Sequence, residues 1–295
     1  MNQKPTYGIL ALFFCLTILC SCAEKVLINP DGSLAKYKLP NVDLSHWKVT
    51  LPVGDSKPLE VDPPQILAYA TDETLQPYMY NDSIDGSLVF YAFPGGVTTQ
   101  NSSYPRTELR EQMVPGNNSV NWTFAQGGRM KGQLAVSEVT KDQEGKYHKV
   151  IVMQIHGRLS NEQRDLLGRD DNDAPPILKI YWQDRKVRVK TKVLENLNAN
   201  ANEILQKDAW IDDKGHTFSQ DVGFGKFTLE VIVSEGRLEV VLNGYERIVY
   251  GSDHIEKWGV FENYFKAGNY FQTNDHGAKA IVKYYSLEVS HNSDK

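Results

Sequence analysis

Cysteine is nearly absent from this chain. Its three cysteines, Cys15, Cys20 and Cys22, all fall near the N-terminus, so everything beyond them has no thiol for a disulfide, a nucleophile or a soft metal ligand. Long apolar runs are missing too: the stretch from Ile9 to Leu19 is too short to cross a bilayer comfortably. Neither charge sign is in large surplus, with 32 Lys and Arg against 37 Asp and Glu, a formal net charge of −5 and a pI near 5.8. That balance excludes a global attraction for nucleic acid or anionic membranes, so any affinity for a polyanion must come from a local cluster. No Gly-x-Ser-x-Gly elbow, zinc-ligand spacing or phosphate loop occurs, and neither metal nor cofactor is expected. Helical periodicity is scarce, and there is no βαβ alternation and no internal repeat.

What the N-terminus does contain is Lys4 followed by the apolar run from Ile9, the layout of an export signal. The run ends in Leu19-Cys20-Ser21-Cys22, which resembles a bacterial lipobox, and by that resemblance residues 1–21 are a lipoprotein signal peptide and Cys22 carries the lipid. A plain secretory signal is the alternative. Either way the protein is exported, and membrane contact is expected only through the anchor. Loss of Lys4 leaves a mature charge of about −6 (−5 minus 1). Residues 22–40 show no sustained periodicity and read as a tether, leaving 41–295 as the domain.

That domain, 41% hydrophobic and 23% charged over the whole chain, is of a size that a single all-β sandwich can reach. Strands are predicted over Val42 to Pro52, Ser87 to Phe93, Arg106 to Gln112, Gln133 to Thr140, Lys149 to His156, Ile177 to Trp182 and Lys186 to Val193. Further strands are predicted over Phe227 to Val233, Leu238 to Leu242, Glu246 to Tyr250, Tyr264 to Gln272 and Ala280 to Val289. Asn243-Gly244 is a strong hairpin turn, and Gln183-Asp184-Arg185 joins another hairpin. Short helices are expected after Pro63-Pro64 and at Asn202 to Lys207, the second within a long polar loop, Asn196 to Gln220. Many short strands and few helices predict an all-β fold, an antiparallel β-sandwich.

Three of these strands sort chemistry from grease with period two. In Arg106-Thr107-Glu108-Leu109-Arg110, Arg106, Glu108 and Arg110 share a face. In the strand Lys149 to His156, Gln154 and His156 lie opposite Ile151, Met153 and Ile155. In Tyr264 to Gln272, Tyr264, Lys266, Tyr270 and Gln272 oppose Phe265, Ala267 and Phe271. If the three strands are neighbours, these polar faces pool into one patch. A fourth basic row, Lys186, Arg188, Lys190 and Lys192, reads as a solvated face, with Lys190 kept as a secondary binding candidate.

The motifs Arg-Thr-Glu-Leu-Arg, Gln-Ile-His and Tyr-Phe-Lys-Ala-Gly-Asn-Tyr-Phe-Gln occur in an order that resembles polysaccharide lyase family 7, the alginate lyases. Trp47-Lys48-Val49-Thr50-Leu51-Pro52 is similar to that family's first strand, and the resemblance runs from about Val42 to Val289. It implies a β-jelly roll whose concave sheet binds alginate, an acidic polysaccharide of mannuronate and guluronate, and cleaves it by β-elimination. Phe271 stands where the family's best-known motif has asparagine, on the core face. Ile155 stands where others have valine, a form that goes with action on guluronate-containing blocks.

The residues suit that chemistry. A uronate's carboxylate must be neutralised before its C5 proton can leave, and Arg106 with the Gln154 amide supplies donors for it. Tyr270 is placed to protonate the departing O4; for mannuronate, whose H5 and O4 are syn, it could serve as both base and acid. For guluronate, where they are anti, His156, ~7 Å along the strand from Gln154, is the candidate base, so this set permits either substrate. Positive charge from Arg110 and Lys266 is expected to hold Tyr270 partly ionised. Arg110, Lys266, Tyr264 and Gln272 are assigned to substrate binding, and Glu108 to holding the arginines. Two rivals remain: a sandwich glycoside hydrolase, which needs paired carboxylates, whereas Glu108 and Glu111 fall on opposite faces; and a surface sugar-binding lipoprotein without turnover. A monomer is expected.

Overall fold

The computed structural model describes residues 38–251 and 253–292, together with two short strands, Leu27–Ile28 and Leu34–Ala35, which pair antiparallel with each other. The signal peptide expected at 1–21, the lipidation site Cys22 and most of the 22–40 tether lie outside the described residues. No helix among the described residues is long and apolar enough to cross a membrane.

From Lys38 onward the chain forms one unit built on two antiparallel sheets, the sandwich expected from the strand count and the jelly roll implied by the family resemblance. One sheet runs Glu246–Tyr250, Arg237–Leu242, Phe227–Ser234, Gly128–Val139, Ala280–Ser290, Ser87–Ala92, Met79–Asp82. The other runs Trp210–Asp212, Lys186–Leu194, Asp173–Gln183, Val150–Arg158, Glu262–Phe271, Arg106–Glu111, Trp47–Thr50, Glu60–Val61. The three motif strands are thus adjacent, with Glu262–Phe271 in the middle. Lys266 faces Arg110 on one side and Gln154 on the other.

Alternation explains why these segments are strands. Phe265, Ala267 and Phe271 are fully buried against the opposite sheet, each phenylalanine contributing about 1.5–3 kcal/mol on burial. Phe90 and Tyr284 meet them from the other side with their rings edge to face at 5.6 Å, and the Tyr284 hydroxyl donates across the sandwich to Val152 O at 2.5 Å. Both predicted hairpins close through turns with positive φ, Asn243-Gly244 at 52° and 74° and Asp184-Arg185 at 48° and 68°, the handedness that matches strand twist.

Several elements depart from the sequence reading. The polar loop Asn196 to Gln220 carries two strands, Trp210–Asp212 and His216–Asp221, both paired to Lys186–Leu194. Their side chains alternate poorly because only Trp210 and Phe218 point inward. Asp173–Gln183 begins before Ile177, through Pro175 and Pro176, residues that argue against a strand when read alone. A helix at Asn161–Leu166 escaped notice because it buries nothing, although Ser160 and Gln163 form a capping box.

Two irregularities shape the inner sheet. The register of Val150–Arg158 against both neighbours shifts between Ile151 and Met153. Val152 and Met153 therefore both enter the core, whereas Ile151 turns to the open face beside Gln154. Strict alternation puts Ile151 in the core, and the bulge overturns that. On the neighbouring strand, Gly268 has φ +134°, and a Cβ there would meet Thr107 O at 2.7 Å. The next residue, Asn269, is fully buried and donates to Phe90 O at 3.0 Å and Ala280 O at 2.8 Å, both in the opposite sheet.

Candidate active site

A cleft of about 850 Å³ lies over the open face of the inner sheet. Its walls carry eight cationic side chains, Lys48, Arg106, Arg110, Arg158, Lys179, Lys192, Lys207 and Lys266, against two acids, Glu60 and Asp173. On a chain of net negative charge, this is the local cluster a polyanion requires. Gln154, His156, Tyr264, Tyr270 and Gln272 line the same cleft. Lys190 lines an adjoining cavity of about 520 Å³ that shares Tyr104, Tyr181 and Gln272 with the first, so it stands along an extension of the groove.

Glu108 organises the floor from below. Only 1% exposed, it accepts from Arg106 Nη1 at 2.9 Å and Lys266 Nζ at 2.5 Å on one oxygen, and from Gln154 Nε2 at 2.5 Å on the other. Burial raises its pKa, but the Lys266 and Arg106 charges outweigh that and leave it below the ordinary glutamate range. Lys266 is held down to about 8, by burial first and then by Arg106, the attraction of Glu108 being too small to offset both. One expectation needs correcting: Glu108 holds one arginine, not two. Arg110 donates instead to Glu111 O at 2.6 Å, Asn118 O at 2.9 Å and Asn121 Oδ1 at 2.9 Å. Glu111 points into the core, where it accepts from Trp122 Nε1 and the Phe265 amide, each at 2.9 Å, so no carboxylate pair faces the cleft from this strand.

Two arginine–tyrosine pairs stand on this floor. The Arg106 guanidinium lies 3.7 Å from the Tyr270 ring centroid and that of Arg110 lies 4.0 Å from Tyr264. Tyr264 stacks in turn on His156, with centroids 5.3 Å apart and planes 11° from parallel. His156 Nδ1 is 3.0 Å from Gly157 O. That contact requires the proton on Nδ1 and leaves the Nε2 lone pair facing the cleft. Burial holds the imidazole down to about 4, with Lys266 and Arg106 acting the same way against Asp173, although 18% of the side chain still reaches the cleft. At neutral pH the ring is an uncharged proton acceptor.

Tyr270 behaves differently from the expectation. Burial raises its pKa above the ordinary phenol value and outweighs the lowering by Arg106, so the side chain is a protonated phenol and not a partial phenolate. In the ladder, the Gln154–Lys266 row lies between the His156–Tyr264 row and the Ile151–Tyr270 row. A ring seated over Gln154 therefore has the proton acceptor on one flank and the proton donor on the other.

Some of the lining escaped sequence reading. Thr99 to Tyr104 forms one wall from a segment without periodicity. Lys48 is the partner of Arg110 in the adjoining strand, where it pairs with Glu60 at 2.6 Å, and the alternation of Trp47 to Thr50 was the signal that could have found it. Among the described residues no group of three or more His, Cys, Asp or Glu is disposed to hold a metal ion.

A jelly roll with a cationic cleft, a neutral imidazole and a protonated phenol defines a polysaccharide-active enzyme of the lyase class. The alginate lyase family model matches residues 42–291, and the chain belongs to that family, polysaccharide lyase family 7. The solved family 7 alginate lyase A1-II′, in complex with a product denoted GGG, is 33% identical with TM-score 0.68, covering 85% of this chain and 97% of that one. The same lyase in complex with a substrate denoted GGMG is 32% identical with TM-score 0.63, covering 84% of this chain and 94% of that one. An alginate lyase from Corynebacterium sp. is 26% identical with TM-score 0.59, covering 86% of this chain and 99% of that one. A search of curated proteins gave no match.

Proposed function

We propose that this lyase cleaves the 1,4-linkages of alginate by β-elimination, with guluronate-containing blocks as the favoured substrate, leaving unsaturated uronate ends. Arg106 and Gln154 neutralise the uronate carboxylate, His156 removes H5 and Tyr270 protonates O4. Lys266, Tyr264 and Gln272 line the sugar, and Lys190 meets the chain further along the groove. The observation that carries this reading is the placement of His156 and Tyr270 on opposite flanks of Gln154, where burial favours the uncharged imidazole and the protonated phenol.

That pair also bears on the substrate. In guluronate H5 and O4 are anti, so base and acid must be separate groups on either side of the ring. In mannuronate they are syn, and a single tyrosine serving both roles has to ionise first, which burial of Tyr270 opposes. Digestion of pure guluronate and pure mannuronate blocks, followed by ultraviolet absorbance of the C4=C5 double bond, tests the whole reading. Faster turnover of guluronate blocks is expected, and products without ultraviolet absorbance would mean hydrolysis. Tyr270→Phe is expected to slow cleavage by roughly 10²-fold with oligosaccharide binding retained.

For location, we infer export with a lipid on Cys22, supported by the charge-then-apolar leader and the lipobox-like Leu19 to Cys22. Metabolic labelling with a fatty acid, lost in Cys22→Ala, tests it.

A further inference from the structure

Asp173 opens the strand beside Val150–Arg158, and its Oδ1 lies 4.0 Å from His156 Nε2. That distance is too long for a hydrogen bond with the neutral ring, yet short enough for a strong ionic attraction once the ring gains a proton. The second oxygen, Oδ2, is paired with Lys207 Nζ, which comes from the single turn Lys207–Ala209 within the long polar segment. All three side chains line the cleft.

These contacts pull the imidazole in opposite senses. Because Nδ1–H is tied to Gly157 O, only Nε2 is free to accept a proton, and the new charge therefore forms on the atom nearest Asp173. Of the groups facing the ring from neighbouring strands, Lys266 and Arg106 disfavour the imidazolium, Tyr264 stacks on it as a neutral phenol, and Asp173 favours it. Lys207, on the far oxygen of Asp173, weakens that favour at rest.

We propose that Asp173 and Lys207 form a positioning pair that sets the proton affinity of His156: Asp173 stabilises the imidazolium created during elimination, and Lys207 keeps the carboxylate from charging the ring beforehand. This rests on His156 being the base. The proton passes from C5 to Nε2, the C5–H electron pair becomes the C4=C5 double bond, and the C4–O4 pair leaves on O4, which takes its proton from Tyr270. The imidazolium, held beside the partly exposed Asp173, then returns its proton to water, and Tyr270 regains one from solvent.

The test is a set of pH profiles of kcat and kcat/KM, read by ultraviolet absorbance on alginate, for the intact enzyme and four variants. Asp173→Asn is expected to lower kcat at neutral pH about 10-fold with KM changed by less than about twofold, and to move the acidic limb of kcat/KM down by about one pH unit. Asp173→Glu should restore most of the loss. Lys207→Met, at a more exposed position, should move the same limb up by about one unit. His156→Gln serves as the control. If it abolishes turnover while the Asp173 and Lys207 variants leave the limb in place or move it in the same direction, the positioning pair is overturned and the base assignment stands. If it retains full turnover, the base assignment falls and the pair falls with it.

Discussion

Arg106 and Arg110 sit four residues apart on one strand, share a face, and each lies over a tyrosine of the neighbouring strand. In sequence they are interchangeable. In the structure Arg106 makes one side-chain hydrogen bond, to Glu108, and its buried Nε has no partner. Arg110 makes three, to Glu111 O, Asn118 O and Asn121 Oδ1, and so fastens the segment after its own strand against the cleft wall. An arginine with unmet donors beside a cleft is completed by an incoming carboxylate, whereas one already bonded to backbone oxygens is completed by its own protein. Similar residues on one face thus divide into a candidate ligand for the sugar and a clamp for the scaffold.

Substitution can sharpen or break that division. The largest effect is expected for Arg106→Ala, a fall in kcat/KM of about 10²- to 10³-fold with a melting temperature close to that of the parent enzyme. A large loss of thermal stability with little loss of rate would reverse the assignment. Arg110→Ala should do the opposite, destabilising by about 1–3 kcal/mol because Glu111 O and the Asn118–Asn121 segment lose their partner, as read from a denaturant midpoint. Its loss of rate should be smaller than that of Arg106→Ala.

The mildest effect is the pH dependence around the pair. In its proposed role as base, His156 is neutral and able to accept H5 above about 4, and activity should be lost as pH falls through that value and the ring takes a proton from water. Lys266 is charged below about 8, and the help proposed for it in holding an anionic sugar should be lost as pH rises through that value. The profile of kcat/KM, which reports the free enzyme, should be a plateau bounded by those two values. An alkaline limb unmoved in Lys266→Met would separate it from this lysine.

Much of this was legible because a strand half in core and half in water writes its partition into alternate letters. Arg106, Glu108, Gln154, His156, Lys266 and Tyr270 were all read onto one face this way, and they do share it. The same rule misplaced Ile151, since a bulge shifts parity without leaving a composition signal. From the sequence, Glu108 is expected to hold both arginines by ion pairing. Its burial, and its grip on Gln154 and Lys266 with only one of the arginines, depend on strand neighbours that no single strand specifies. Loop-borne residues such as Ser102, Tyr104 and Lys207 reach the cleft through tertiary folding, and nothing in their local pattern marks them. The ionisation of Tyr270 was misjudged because neighbouring charge is visible in a motif while burial is not.

Asn269 makes the rear sheet a participant in events at the front. Its amide hangs from carbonyls of Phe90 and Ala280, and it is the residue immediately before Tyr270. A shift of those outer strands would re-aim the phenol without altering any side chain in the cleft. Under the proposed role of Tyr270, efforts to tailor this lyase should therefore treat the two sheets as one mechanical unit, in which a change made on the far wall is expected to be felt at the glycosidic oxygen.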